Sequence, residues 1–89
     1  MELLFIADPL ESFKTAKDTT FAMMREAQRR GHRISACEQP ALQWQRGGLV
    51  MAEVRDISLT GDAHAWFTQR GTRNVALKAF DAVLMRKDP

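Results

Sequence analysis

The sequence predicts a small α/β domain with a mainly parallel sheet, one principal helix and a β-hairpin excursion. Residues 3–7 and 82–85 are continuous apolar runs, as expected for strands that are buried on both faces of a parallel sheet. An amphipathic segment separates the first run from a second short strand at residues 33–37, and this strand–helix–strand order predicts two parallel neighbours. The glycine pair Gly47-Gly48 predicts the hairpin.

The principal helix is predicted to start at one of three consecutive N-cap residues, Asp18, Thr19 and Thr20. From Phe21 onward, apolar side chains recur at the helical period and fall on one arc, while the arginines fill the opposite arc. Gly31 supplies the left-handed residue that commonly ends a helix. Because the chain shows one strong amphipathic helix, the second face of the sheet must be covered by weaker elements, by a partner chain or by sequence beyond residue 89.

Turn signals predict the organisation of the segment between the second strand and the last one. Residues 42–45 and 49–59 are the two arms of the hairpin, residues 60–62 form a turn, and residues 75–80 form a helical turn before the final strand. The pattern of residues 63–69 fits either a short edge strand or a helical turn, and it does not decide between them.

Composition excludes several classes of function. Thirteen basic and eleven acidic residues give a net charge of +2 with the two signs interleaved, so no nucleic-acid partner is expected. The sequence shows no signal-peptide pattern and no apolar stretch long enough to span a bilayer, so no membrane partner is expected. The one cysteine, Cys37, excludes an internal disulfide and a cysteine-based zinc site, and its neighbours favour a buried thiol. A reducing, cytoplasmic location fits these features.

The common catalytic and cofactor motifs are missing from this sequence. The first predicted strand is followed by residues 8–11, which contain no glycine and therefore exclude a dinucleotide fingerprint and a Walker phosphate loop at this point. His32 and His64 lack partners at metal-ligand spacing. Asp8 is interpreted as a turn residue, because a phospho-acceptor site needs further acids and a lysine at neighbouring strand ends. The sequence therefore predicts no catalytic residue, no cofactor-binding residue and no metal site in these 89 residues.

Two places stand out as candidate substrate-binding sites, and both lie at the same edge of the predicted sheet. One is the helix start at Lys17, Asp18, Thr19 and Thr20, where N–H groups and the helix dipole attract anions, although simple capping explains the same residues. The other is the end of the last strand, where Arg86 and Lys87 reach the carboxyl edge at which open α/β sheets bind ligands. A charged strand end is equally often the point where solvent begins. A chain that stops at such an edge is expected to be a fragment cut through a site.

Two motifs resemble those of bacterial glutathione synthetases. Residues 17–23 (Lys-Asp-Thr-Thr-Phe-Ala-Met), running into residues 26–32 (Glu-Ala-Gln-Arg-Arg-Gly-His), resemble the first helix of that family. Residues 84–89 (Leu-Met-Arg-Lys-Asp-Pro) resemble the motif that closes the first half of the same domain, and Asp8-Pro9 matches the end of its first strand. Order and spacing agree over all 89 residues, although residues 39–79 match mainly in layout.

The resemblance implies that residues 1–89 are an N-terminal, Rossmann-like pre-ATP-grasp domain fragment, without the ATP-grasp domains. Such ligases use ATP and Mg²⁺ to join γ-glutamylcysteine and glycine into glutathione, and their nucleotide and metal sites lie in the later domains. The fragment alone would then carry no cofactor and no activity, while the full-length enzyme would be a homo-oligomer. Arg86 is our first candidate for contacting a substrate carboxylate, because arginine binds carboxylates bidentately, and the helix start is the second.

A second class of function stays open from the sequence, namely a freestanding interaction or oligomerisation module that uses an uncovered face of the sheet. The two hypotheses differ in hydrodynamic behaviour and in the sequence expected beyond residue 89. A reading frame that ends there contradicts the enzyme, and one that continues into an ATP-grasp domain contradicts the module.

Overall fold

The computed structural model describes residues 1–86, and its sheet is organised around strand β1 (Glu2–Ile6). Within these residues the chain forms six strands and one α-helix, together with short 3₁₀ turns. The other elements are α1 (Thr19–Arg29), β2 (Arg33–Cys37), β3 (Leu42–Trp44), β4 (Val50–Leu59), β5 (Phe67–Ala76) and β6 (Ala82–Met85).

The strand pairings make the described sheet a mixed one. β1 pairs in parallel with β2 on one side and with β6 on the other, so that Leu4 lies opposite both Ser35 and Val83. β4 pairs antiparallel with β2, β3 and β5. The α/β class, the principal helix and the hairpin are therefore confirmed, but the prediction of a mainly parallel sheet is wrong. The reason is the long β4–β5 ribbon, two strands of 10 residues each, which joins β2 in the antiparallel direction.

Helix α1 forms where the sequence predicts it, because its start, its end and its apolar face are all specified locally. The Asp18 side chain caps the N-terminus, and Gly31 adopts a φ of 85° just past the C-terminus. Met24 and Ala27 are buried against the sheet, whereas the arginines of the opposite face are exposed. The helix is thus the crossover that joins the parallel strands β1 and β2.

The first face of the sheet, on the side of α1, holds the larger apolar core. Phe5, Ile34 and Ile57 come from three adjacent strands and belong to the same buried cluster as Met24 of the helix. All four side chains are at most 1% exposed. Burial of each such side chain contributes roughly 1.5–3 kcal/mol to the free energy of unfolding, so this cluster anchors α1 on the sheet.

Trp66 extends this core from the turn before β5. Its side chain is 4% exposed, stacked on Phe13 at a centroid distance of 5.2 Å and edge-on to Phe21 at 5.3 Å and Phe67 at 4.7 Å. The residues just before Phe67 form turns, and the strand starts at Phe67. Of the two alternatives predicted for residues 63–69, the edge strand is therefore present from Phe67 onward, and it continues to Ala76.

At β1, the second face of the sheet is covered by weak elements, which is one of the three possibilities that the sequence leaves open. Leu4 and Ile6 of β1 are 0% and 2% exposed. Phe80 and Leu77, from the segment before β6, pack in the same cluster together with Leu42 of β3. Within residues 1–86, both faces of β1 are therefore covered by the chain itself.

A polar network lies on the second face beside this core. Asp56 accepts hydrogen bonds from Ser35 Oγ at 2.6 Å and from Arg73 Nε at 2.8 Å. Burial raises the pKa of the Asp56 carboxyl, but the hydrogen bonds from Ser35 and Arg73 outweigh it and hold that pKa below its ordinary value. The network therefore ties β2, β4 and β5 together through an ionised carboxylate.

Strand β6 lies at the edge of the described sheet. It pairs with β1, and no other strand within residues 1–86 pairs with it. Val83 and Met85 are accordingly 40% and 57% exposed, so the prediction of a final strand buried on both faces is wrong. The apolar run was a correct signal for a strand, but burial depends on neighbours that the run itself does not specify.

The remaining sequence expectations concern the segment before β6 and the membrane. Of the helical turn predicted for residues 75–80, Leu77–Ala79 form a 3₁₀ turn, whereas Val75 and Ala76 belong to strand β5. In the part of the chain that the structure describes, no helix is both long and apolar enough to cross a bilayer.

Candidate functional site

The carboxyl ends of the three parallel strands meet at one edge of the sheet. The backbone N–H of Arg86 donates to the carbonyl of Ile6 at 2.7 Å, and that of Ala7 donates to the carbonyl of Cys37 at 2.9 Å. These bonds continue the ladder one step beyond the strands. The side chains that follow β1 and β6, Asp8 and Arg86, therefore leave the sheet at adjacent positions.

A polar cavity opens at this edge, between the strand ends and the start of α1. We call it the strand-end cavity, and its volume is about 340 Å³. It joins the two regions that the sequence singles out, because Arg86 and the helix start line the same space. Its lining residues are Asp8, Phe13, Lys17, Asp18, Thr19, Thr20, Met85 and Arg86.

The predicted site residues fall unequally around this cavity. Arg86 and Thr19 are exposed, Asp18 is half-buried and Thr20 is 6% exposed, so Thr20 offers little side-chain surface to a ligand. Lys87 lies outside the described residues.

The start of α1 is capped by the chain itself. Asp18 Oδ1 accepts hydrogen bonds from the backbone N–H groups of Thr20 at 2.8 Å and of Phe21 at 3.2 Å. These are the N–H groups that would otherwise attract an external anion. Asp18 therefore caps the helix, which is one of the two explanations that the sequence leaves open for these residues.

Two further residues add charge to the cavity, namely Asp8, interpreted from the sequence as a turn residue, and Lys17, the first residue of the predicted helix-start site. Asp8 follows β1 and Lys17 precedes the cap, so the cavity has carboxylates at Asp8 and Asp18 and cationic groups at Lys17 and Arg86. Within residues 1–86, no salt bridge includes Asp8, Lys17 or Arg86. In the sequence, the one feature that pointed to Asp8 was its position directly after a buried strand. A residue that only forms a turn would have the same position.

A neighbouring cavity, also of about 340 Å³, continues the polar surface along the loop after β1. It shares Asp8, Phe13, Lys17 and Asp18 with the strand-end cavity and adds Ser12 and Lys14. The polar surface at this edge of the sheet therefore extends over two adjoining cavities.

A larger cavity of about 540 Å³ lies on the other side of Asp8, between the end of β2 and the β4–β5 ribbon. Its one cationic side chain, Arg55, pairs with Glu11 at 2.9 Å and donates to Gln69 at 2.9 Å. Burial, helped by the negative charge of Glu38, raises the pKa of the Cys37 thiol in its wall to about 11. Cys37 is therefore a buried thiol that stays protonated at neutral pH and does not act as a nucleophile. This agrees with the buried thiol that the sequence predicts.

The chemistry of the described residues offers no metal centre. Among residues 1–86, no group of three or more His, Cys, Asp or Glu side chains is arranged to hold a metal ion. His32 Nδ1 lies 3.2 Å from the amino group of Met1, and the backbone N–H of His64 donates to Asp62 in a turn. Both histidines thus have local structural contacts.

Comparison with known proteins assigns the chain to a family. Residues 1–89 match the family described as prokaryotic glutathione synthetase, N-terminal domain. The chain is 51% identical over 89 residues to a glutathione synthetase of Ralstonia nicotianae, covering 100% of this chain and 27% of that protein. It is 50% identical over 93 residues to one of Neisseria meningitidis serogroup B, covering 100% and 29%, and 38% identical over 89 residues to one of Vibrio cholerae, covering 100% and 28%.

The chain spans less than a third of the length of these relatives. The match covers every described element, including both strands that end at the cavity and the capped helix between them. The chain belongs to the family of prokaryotic glutathione synthetase N-terminal domains.

Proposed function

We propose that this chain is the substrate-side N-terminal domain of an ATP-dependent ligase that joins γ-glutamylcysteine and glycine to make glutathione. The observation that carries the proposal is the strand-end cavity, which gathers Arg86, Lys17 and Asp8 at the carboxyl edge of the sheet. Charged side chains there suit a small, strongly polar ligand, and the family resemblance implies that this ligand is γ-glutamylcysteine.

Arg86 is the residue to which we assign a substrate carboxylate. Its backbone is fixed by the bond to Ile6, while its side chain is exposed at the lip of the cavity. A guanidinium binds a carboxylate through two parallel N–H···O bonds, and γ-glutamylcysteine carries two carboxylates. Asp18 and Thr19 of the helix start line the same cavity. Lys87 stays a predicted substrate contact.

ATP and Mg²⁺ belong to this proposal as cofactors of the full-length enzyme, but the described residues 1–86 do not fit them. The loop after β1 contains no glycine to cradle phosphates, and residues 1–86 hold no group of three metal-ligating side chains. We therefore assign this chain to binding and orienting the dipeptide, and we expect residues 1–89 alone to be inactive.

Three further features are part of the same proposal. The parallel β1–α1–β2 unit supports a Rossmann-like relationship, although the antiparallel β4–β5 ribbon adds a different part to the sheet. The free thiol of Cys37 fits a reducing cytoplasm. We also propose, from the family resemblance, that the full-length enzyme is a homo-oligomer.

The proposal is tested by the product formed. The complete protein that carries this chain, given γ-glutamylcysteine, glycine and Mg²⁺–ATP, should form glutathione, and omission of any one reactant should abolish the product. Absence of glutathione under these conditions would contradict the proposed function. Residues 1–89, shown to be folded by circular dichroism, should bind no ATP in a calorimetric titration, and binding there would refute the division of labour between domains.

A further inference from the structure

The loop that joins β1 to α1 forms much of the wall of the strand-end cavity. Four of the lining residues come from this loop, residues 7–18, namely Asp8, Phe13, Lys17 and Asp18. The regular structure of the loop is one short 3₁₀ turn, Leu10–Ser12. Because the loop is not part of the sheet ladder, the charges of Asp8 and Lys17 stand where the contacts of the loop with the rest of the domain place them.

Two apolar contacts hold the loop against the core. Leu10 is 3% exposed and belongs to the buried cluster on the first face of the sheet. Phe13 stacks on Trp66 at a centroid distance of 5.2 Å. Burial of apolar surface is non-directional, so these contacts keep the loop close to the sheet but specify its orientation weakly.

Arg55 of β4 supplies a directional contact to the same loop. Its Nη2 and Nη1 atoms donate to the two carboxylate oxygens of Glu11, at 2.9 and 3.4 Å. Within residues 1–86, these are the hydrogen bonds that join the β4–β5 ribbon to the loop. The fork of a guanidinium matches a carboxylate in one plane, so this pair fixes the direction of the loop as well as its distance from the ribbon.

The guanidinium of Arg55 is itself held in place by the ribbon. Its Nε donates to Gln69 Oε1 at 2.9 Å, and Gln69 Nε2 donates to Thr72 Oγ1 at 2.9 Å. Its central carbon lies 5.1 Å from the centroid of the Phe67 ring. The Arg55 side chain is accordingly 28% exposed, against 64% for Glu11. Exposed ion pairs usually contribute little to stability, but a bidentate pair with a fixed arginine has a defined geometry.

We propose that Arg55 is a positioning residue for the dipeptide, because its pair with Glu11 holds the loop in the orientation in which Asp8 and Lys17 line the strand-end cavity. This inference rests on the proposed function and adds to it, since the described strands β4 and β5 contribute no lining residue to that cavity. The antiparallel ribbon thus acts on the site through the loop, without contacting the ligand.

A direct contact between Arg55 and a ligand is the competing explanation, because Arg55 also lines the larger cavity. Gln69 and Glu11 already accept hydrogen bonds from the guanidinium, which orients it within the domain. The two explanations differ in what the loss of Glu11 does. A ligand of the larger cavity would bind Arg55 more tightly once Glu11 is removed, whereas the positioning role is lost with Glu11.

Substitution of each partner in the complete protein tests the pair. Arg55→Ala and Glu11→Ala should each raise the KM for γ-glutamylcysteine about three- to ten-fold, the scale of one lost hydrogen-bonded contact, with the KM for ATP unchanged. The double variant should lose no more than Arg55→Ala alone, because both substitutions remove the same contact. Arg55→Lys keeps the charge but not the fork, so it should recover part of the loss.

Arg73→Ala is the matched control. Arg73 belongs to the same ribbon and makes the same kind of bidentate pair, but with Asp56 on the second face of the sheet. The control removes an arginine–carboxylate pair of the ribbon without touching the loop. It should keep the wild-type KM for γ-glutamylcysteine.

Hydrogen exchange, measured by mass spectrometry on the complete protein, follows the loop without reference to catalysis. Peptides that cover residues 7–18 should exchange faster in Arg55→Ala and in Glu11→Ala than in the wild type, while peptides that cover β1 and β2 should not change. Unchanged exchange in the loop would overturn the proposed contact. Because Glu11 is exposed, Glu11→Ala tests the contact even if Arg55→Ala folds poorly.

The kinetic outcomes separate this inference from the proposed function. The positioning role is overturned by faster exchange with an unchanged KM for γ-glutamylcysteine, or by an equal loss in Arg73→Ala. A loss in Arg55→Ala that Glu11→Ala does not share overturns it too. If the wild-type enzyme makes no glutathione, the proposed function fails, and this inference fails with it.

Discussion

The backbone N–H of Arg86 donates to the carbonyl of Ile6 at 2.7 Å, and this bond fixes the point at which the arginine side chain leaves the sheet. Ile6 is the last residue of β1, and Asp8 follows it by two positions. The parallel pairing of β1 and β6 therefore brings a guanidinium and a carboxylate, almost the full length of the chain apart in sequence, to one cavity. The site depends on a backbone pairing between distant strands, which no local sequence pattern predicts.

We predict that Asp18→Ala destabilises the protein that carries this chain by about 1 kcal/mol, within a range of roughly 0.5–2 kcal/mol for lost helix caps. The variant removes the acceptor for the N–H groups of Thr20 and Phe21. Asp18→Asn, which keeps a side-chain acceptor, should retain most of the stability. Chemical denaturation measures both, and equal losses in the two variants would show that capping is not the reason.

Truncation to alanine should change the free energy of unfolding strongly at one tryptophan and hardly at all at the other. Trp66 is 4% exposed among three aromatic rings, whereas Trp44 is 79% exposed on the hairpin. Trp66→Ala should lower the free energy of unfolding by roughly 3–5 kcal/mol, because it leaves a cavity in the core. Trp44→Ala should change it by less than about 0.5 kcal/mol. A large loss for Trp44→Ala in equilibrium unfolding would contradict its exposed position.

Cys37 should resist thiol reagents until the domain unfolds. Burial, with the charge of Glu38, raises the pKa of its thiol from 9.0 to about 11. At pH 8 the thiolate fraction then falls about a hundred-fold relative to an unfolded chain, since each pKa unit is a factor of ten. Mass spectrometry of the peptide that contains Cys37 measures its labelling rate, and labelling as fast in native as in denatured protein would exclude a buried thiol.

The raised pKa of Cys37 also predicts a direction of pH dependence. The folded state favours the protonated thiol, so this contribution to stability is complete below pH 9 and is lost as the pH rises toward 11. Cys37→Ala removes the titrating group. The stability of the wild type should therefore fall relative to that of Cys37→Ala over this interval, and a constant difference between the two would contradict the shift.

Local signals in the sequence were sufficient to predict α1, β1, β2 and the hairpin. The Asp18 cap, the apolar period and Gly31 define the helix without help from the rest of the chain. The length of β5 was not predictable in this way. Much of Phe67–Ala76 is polar and exposed, and its strand conformation comes from pairing with β4. The edge position of β6 was missed for the same reason, because an apolar run does not specify its neighbours.

The candidate site could be predicted in part. Arg86 and the helix start were identified because charged strand ends and helix N-termini follow general rules about where ligands lie. Lys17 was part of the predicted helix-start site, but Asp8 was interpreted as a turn residue, since one charge beside a turn has the same appearance whether or not it faces a cavity. Only the three-dimensional arrangement shows that both line the strand-end cavity.

The central claim, that this cavity is a wall of the dipeptide site, is tested most directly by the kinetics of Arg86→Ala in the complete protein. We predict that kcat/KM for γ-glutamylcysteine falls about ten- to hundred-fold, the cost of one charged hydrogen-bonded contact, while the KM for ATP is unchanged. Arg46→Ala, at an exposed arginine in the hairpin turn, is the matched control and should behave as wild type. Unchanged kinetics for γ-glutamylcysteine in Arg86→Ala, or an equal loss for ATP, would contradict the claim.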